Sequence, residues 1–189
     1  MQAIKIIFFS LTISILTIDL AQASIDKYSS PHKDGYIQEV CNKSKTSCDI
    51  TMVNQEGRTT PLISEIEQPL EVLWINNDIA KITINCGSPC TASIFANIHT
   101  SKTEIIDMLL TSLDDKNIIA YPDKNSIAIK KLFTDRQLNI HKEFSPVAAL
   151  SSAITDIHFI DANTLNLSYL QGDNFSEVTE VIKFDLESN

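Results

Sequence analysis

The segment Asn85–Phe95 reads NCGSPCTASIF and gathers two of the chain's four cysteines around Gly87, Ser88 and Pro89. Four chemistries compete for it. A dithiol redox centre normally reads C-x-x-C, with a low-pKa thiol at a helix start. Here the spacing is one residue longer and strand-like sequence follows. A zinc site requires about four nitrogen or sulfur ligands. Cys86, Cys90 and His99 would supply three, but His99 lies in a polar turn. Ser88 lacks the G-x-S-x-G context of a nucleophile elbow, and no base is assigned to it. A turn between two strands, closed by a Cys86–Cys90 disulfide, is the reading that uses every residue, because Gly and Pro let the chain reverse sharply.

The other cysteines, Cys41 and Cys48, bracket the polar run NKSKTS between two strand-like segments. Four cysteines allow three pairings. Turn chemistry favours the local pair, Cys41–Cys48 with Cys86–Cys90; crossed pairings would join distant segments and are the alternative. None of the four histidines (His32, His99, His141 and His158) sits in a metal-ligand spacing. His141 and His158 fall in strand-like sequence. Asp156 and His158, two residues apart, would share one face of a sheet. A serine brought to that pair by the fold would make a hydrolase reading. Trp74, Tyr121 and Tyr169 are candidates for a sugar-stacking platform, with core positions as the simpler reading. With only four glycines the chain has no phosphate-cradling loop, and its acidic turns lack the ligand density of a calcium loop. The sequence therefore assigns no catalytic residue, no cofactor and no metal.

The amino terminus sets the compartment in which these cysteines are read. Lys5 precedes the apolar run Ile6–Ile18, and Ala21-Gln22-Ala23 offers small residues before Ser24. This three-part pattern predicts a secretory signal peptide over residues 1–23. The run is shorter than the ~20 residues of a spanning helix. The first cysteine lies well past the cleavage site, so no lipid-anchored terminus is expected. The expected location is the periplasm or the exterior, where disulfides persist.

Formal charge is −9, and only Arg58 and Arg136 are arginines. An acidic, arginine-poor chain is a poor partner for nucleic-acid phosphates and a better one for a basic protein. The loop acids Asp114, Asp115 and Asp123 are the candidate contacts.

Residues 24–35 are polar and read as a flexible arm. Residues 36–189 read as a single β-rich domain. Short apolar runs alternate with polar residues and break at turn signals roughly every 8–12 residues. Ala80, Ile82, Ile84 and Cys86 line one face of a strand, with Lys81, Thr83 and Asn85 opposite. The predicted class is all-β or mainly β: an antiparallel meander, sandwich or propeller-like sheet with one short helix, stapled by two disulfides. The helix is expected at Ser101–Leu113, where Ile105, Ile106, Leu109, Leu110 and Leu113 fit helical spacing and Ser101 with Glu104 fits a capping box. Two short strands are its rival. A further helical turn is expected after Ser145-Pro146.

The leader, the acidic β-rich body and the Cys-Gly-Ser-Pro-Cys turn followed by Ser93-Ile94-Phe95 together resemble small exported bacterial proteins. These include periplasmic immunity proteins, which protect a producing cell from type VI secreted cell-wall or membrane toxins. The resemblance implies a binding function without chemistry and carries no contact residue across. The expected function is an exported immunity protein or inhibitor with a basic protein partner. An envelope structural or adhesive module is the alternative, and a small envelope hydrolase the third. N-terminal sequencing of the exported protein should begin at Ser24; an intact Met1 in a membrane fraction would make the leader an anchor.

Overall fold

The computed structural model describes residues 23–66, 70–87, 90–145 and 150–187, excepting the side chains of residues 86–90. Within them the chain forms fifteen strands in four antiparallel sheets. The first sheet holds β1 (Ser24–Ser29), β2 (Tyr36–Cys41), β3 (Cys48–Val53) and β4 (Thr59–Ile66). The second holds β5 (Glu71–Trp74), β6 (Ile79–Gly87), β7 (Cys90–Asn97) and β8 (Lys102–Ile106). The third holds β9 (Thr111–Leu113), β10 (Ile118–Asp123), β11 (Ser126–Lys131) and β12 (Gln137–His141). The fourth holds β13 (Ile154–Asp161), β14 (Thr164–Gln171) and β15 (Ser176–Lys183). A helix, α1 (Leu150–Ala153), precedes the fourth sheet. Every sheet is a meander in chain order, so each hairpin is local and only the packing between sheets is long-range.

Three apolar clusters join neighbouring sheets. Ile37, Ile50 and Met52 of the first sheet meet Ala80, Ile82, Ile94 and Ala96 of the second. Ile79, Phe95 and Ile106 of the second meet Ile119 of the third. Ile118, Ala120, Ile127, Ile129 and Ile140 of the third meet Leu165, Leu167 and Tyr169 of the fourth. Alternation of side chains along a strand explains how one strand serves two clusters. In β7, Ile94 and Ala96 face the first sheet while Phe95 faces the third. In β10, Ile118 and Ala120 face the fourth sheet while Ile119 faces the second. Phe95 is wholly buried, a burial that contributes about 1.5–3 kcal/mol. The blade-like succession of three four-stranded meanders and one three-stranded meander is propeller-like in order, and among the described residues no buried cluster joins the first sheet to the fourth.

Two expectations are corrected. Ser101–Leu113 is not helical: it forms β8 and β9. Ile105 is exposed and Ile106 buried, a period of two, and Ile106 and Ile105 pair with Ser93 and Ile94 of β7. Pairing to an existing strand satisfies this backbone more fully than one isolated amphipathic turn would. Nor are residues 24–29 a loose arm. They pair with β2 along their whole length, from Ser24↔Cys41 to Ser29↔Tyr36. The Tyr28 hydroxyl donates to buried Glu39 at 2.9 Å, and Lys27 Nζ lies 4.7 Å from the centre of the Tyr36 ring.

The helical turn expected to start at Ser145-Pro146 falls on residues 146–149, outside the described set; α1 follows it at Leu150–Ala153. β6 ends at Gly87 and β7 begins at Cys90, which pair with each other, and the expected turn residues Ser88 and Pro89 lie outside the described set. The expected Cys86–Cys90 bond falls on side chains outside the described set. The Cys41–Cys48 disulfide is formed, between residues that are direct partners in the β2–β3 register. Replacing both cysteines with serine should lower stability by about 2.5 kcal/mol, the chain-entropy value for so short a loop. Denaturant unfolding of the oxidised protein and the double variant measures this.

Candidate functional site

The three acids singled out in the sequence do not share a surface. Asp114 and Asp115 lie in a 3-10 turn, Asp114–Lys116, after β9, and Asp115 pairs with Lys116 at 3.4 Å. Asp123 ends β10, whose other end, Ile118, pairs with Leu113. The five residue steps from Ile118 to Asp123 span ~17 Å of strand. Asp123 therefore belongs to a different region from the other two.

That region is a cleft of about 430 Å3 between the second and third sheets. Its floor follows from register. Glu104 of β8 lies opposite Phe95, and so projects toward the third sheet. Lys130 of β11 lies opposite Ile119, and so projects toward the second. The two meet, Lys130 Nζ lying 3.1 Å from Glu104 Oε2. The other Glu104 oxygen accepts the Phe133 backbone N–H at 2.7 Å, which fixes the carboxylate from two directions. Tyr121 and Asp123, on the same face of β10 as Ile119, complete one wall, and Asp107 and Met108 the other. The Tyr121 hydroxyl donates to Gln137 at 2.9 Å; burial first, then the charges of Asp123 and Glu104, push it above its ordinary pKa. The cleft thus carries three carboxylates against one lysine, and among the described residues Asp107 and Asp123 have no cationic partner. Ile105, 63% exposed on edge strand β8, lies at its rim, with its side chain opposite Ile94 and so on the face of β8 turned away from Glu104.

The hydrolase arrangement is only half assembled. His158 Nδ1 lies 3.0 Å from Asp156 Oδ2, and Asn166 donates to the same oxygen at 3.3 Å. Ser168 is the cross-strand partner of Asp156, so a serine does share their face. Its hydroxyl is instead 2.8 Å from that of Thr179 on β15, and the face is an open sheet surface, with the Asp156 and His158 side chains about half exposed. The aromatic platform is not assembled either. Trp74 packs on the cluster between the first two sheets, Tyr121 on the next and Tyr169 on the last.

Two polar networks brace the end sheets. Tyr28 with Glu39 ties β1 to β2 beside the Cys41–Cys48 bond. In the fourth sheet, the Tyr169 hydroxyl donates to Glu180 at 2.8 Å, Lys142 binds the other Glu180 oxygen, and Phe144 packs edge-on against Tyr169. Of the cleft residues, sequence reading named Asp123 as a partner contact, Tyr121 for a sugar-stacking platform and Glu104 for a helix cap. Glu104, Asp107, Tyr121 and Lys130 are ordinary sheet and turn residues until two meanders stack, and the one available signal was the rivalry between helix and strands at Ser101–Leu113. Among the described residues no helix is long and apolar enough to cross a membrane.

The networks define a pH window. Burial, then the Glu39 and Glu180 carboxylates, push the Tyr28 and Tyr169 hydroxyls up to about 12. Their contribution is complete below the unfolded value of ~10 and is lost as pH rises from there through about 12. Hydrogen bonds from Lys142, then Tyr169, lower the Glu180 pKa. That contribution is present above the unfolded value of ~4.3 and is lost as pH falls through the lower folded value. Denaturant midpoints measured against pH should fall on both flanks, and Glu180→Gln should flatten the acid flank; an unchanged acid flank in that variant would assign the loss to other carboxylates. Compared with known proteins, the chain matches no family model and no curated protein sequence.

Proposed function

We propose that this chain is an exported binding protein, most specifically an immunity protein or inhibitor, which engages a basic protein partner through the cleft between its second and third sheets. The observation that carries the reading is the pairing of unneutralised acids with exposed apolar surface across one edge strand: Asp107 and Asp123 line the cleft, and Ile105 stands exposed on the other face of β8. An arginine or lysine of the partner would enter the acidic cleft while an apolar neighbour covers Ile105. A central anchor with a polar rim is the arrangement that concentrates binding energy at protein interfaces. The net charge of −9 would speed encounter with a basic surface. The Cys41–Cys48 bond supports the exported location, since disulfides persist in oxidising compartments. No turnover is part of this function.

The test uses a photo-crosslinking residue in place of Ile105, in the producing cell, with the same residue in place of Val181 on the fourth sheet as control. A single specific adduct to a basic protein is expected from position 105. For the purified pair, Asp107→Asn with Asp123→Asn should slow association several-fold at low salt. The gap should close as salt shortens the screening length to ~8 Å and below, because charge complementarity acts mainly on the on-rate. An adduct only from position 181 would move the interface to the fourth sheet. Hydrolysis of a wall fragment by the purified protein would replace the binding reading with an enzymatic one.

A further inference from the structure

Three turns far apart in sequence meet at one edge of the first two sheets. The β1–β2 turn brings Asp34, the β5–β6 turn Asp78 and the β7–β8 turn His99. His99 Nε2 lies 3.1 Å from Asp78 Oδ1 and 3.3 Å from Asp34 Oδ2, and the three atoms lie within 4.8 Å of one another. We propose that Asp34, Asp78 and His99 form a binding site for a divalent transition-metal ion, with Zn2+ the best-matched case, which clips the β1–β2 turn to the second sheet.

The argument begins with an imbalance of donors. One imidazole nitrogen faces two carboxylate oxygens, and a single N–H satisfies only one of them. A cation placed between the three satisfies all. The separations also fit: ligands ~2.0–2.1 Å from a tetrahedral zinc ion lie ~3.3–3.4 Å from each other. One nitrogen with two carboxylates suits zinc, whereas magnesium and calcium take oxygen-only sets. Asp34 is mostly buried while His99 and Asp78 are about half exposed, so remaining coordination positions open to water.

The ligands are held from behind. The Ser30 hydroxyl donates to Asp34 Oδ1, which leaves Oδ2 for the site. Asn76 accepts the backbone N–H groups of Asp78 and Ile79, and Asn97 accepts those of His99 and Thr100. The Ile98 N–H donates to the Asp78 carbonyl at 2.9 Å, joining two of the turns directly. Gly35 brings in the third. A Cβ there would stand 2.8 Å from the Val53 carbonyl oxygen and 3.3 Å from Ile98 Cδ1, so only glycine lets the Asp34 turn approach Ile98. Such outer contacts orient ligands and tune affinity. The sequence pointed to His99 as a zinc ligand only in company with Cys86 and Cys90; the fold surrounds it with aspartates instead. The site is independent of the partner-binding cleft.

The purified, metal-stripped protein is titrated with ZnCl2 against a chromophoric chelator while the imidazole resonances are followed by NMR. One ion per chain is expected, with the His99 ring signals shifting in step and a rise in thermal midpoint. His99→Ala and Asp78→Asn should each weaken binding by at least about tenfold, with Asp173→Asn unchanged. Absence of saturable binding, or binding unaltered in both ligand variants, overturns the proposal. So does a wild-type His99 signal that stays fixed at saturating Zn2+, a readout that needs no variant to fold. An equal response to Ca2+ would assign the ion to carboxylates alone and remove His99 from the site.

Discussion

Burial of both faces of the middle sheets is the constraint on which the molecule depends. A strand has two sides, and a sheet within a stack must make both apolar. β7 meets the requirement with Ser93, Ile94, Phe95 and Ala96, all buried. β11 meets it with Ser126, Ile127, Ala128 and Ile129. Small residues at Ala96, Ala120 and Ala128 let neighbouring sheets approach, and Ile, Leu and Phe fill the space between. Were any one of these strands to slip by one residue, every side chain would change face, and two clusters would fail together. The meander order makes such slips costly, because each hairpin fixes the register of the next strand.

Among the described residues each end sheet shares a buried cluster with one neighbour, and its chemistry differs accordingly. β1, β13 and β15 expose many of their residues, and Ile25, Ile160 and Val181 stand in solvent. There the braces are polar: Tyr28 with Glu39 at one end of the stack, Tyr169 with Glu180 and Lys142 at the other. A buried carboxylate is costly unless it is hydrogen-bonded. Glu39 meets this condition through Tyr28, which belongs to a strand that the sequence presents as a polar arm. The polar strand is thus held by backbone pairing, one hydroxyl and the Tyr28 ring packed on the first cluster.

Clefts and ligand-like clusters arise where stacked sheets diverge at their edges. The acidic cleft exists because β8 and β10 carry polar residues, Glu104, Tyr121 and Asp123, just beyond the apolar contact of Phe95 with Ile119. The Asp34–Asp78–His99 cluster exists because three hairpin turns fall on one rim. Neither is encoded in a contiguous motif. The cleft is lined mainly by strand residues, which position side chains more tightly than long loops do, and the cluster sits on short turns held by Asn76 and Asn97.

Local patterning was enough for much of this protein. Alternation marked Ala80, Ile82 and Ile84 as one face. Asn, Gly and Pro clusters marked the turns, and NKSKTS between Cys41 and Cys48 marked a stapled hairpin. These are decided between neighbours in the chain, where period and turn chemistry act directly. The sequence failed where two periods fit the same residues. Ser101–Leu113 satisfies a helix and a pair of strands alike, and the free edge of β7, a tertiary feature, decided between them. It failed equally for β1, whose mostly polar residues gain their order from a partner strand. The stacking order of the sheets, the separation of Asp123 from Asp114 and Asp115, the parting of Ser168 from His158 and the meeting of Asp34, Asp78 and His99 were decided only by the tertiary structure. Each depends on which faces and turns come together across the sheets, and no local pattern records that.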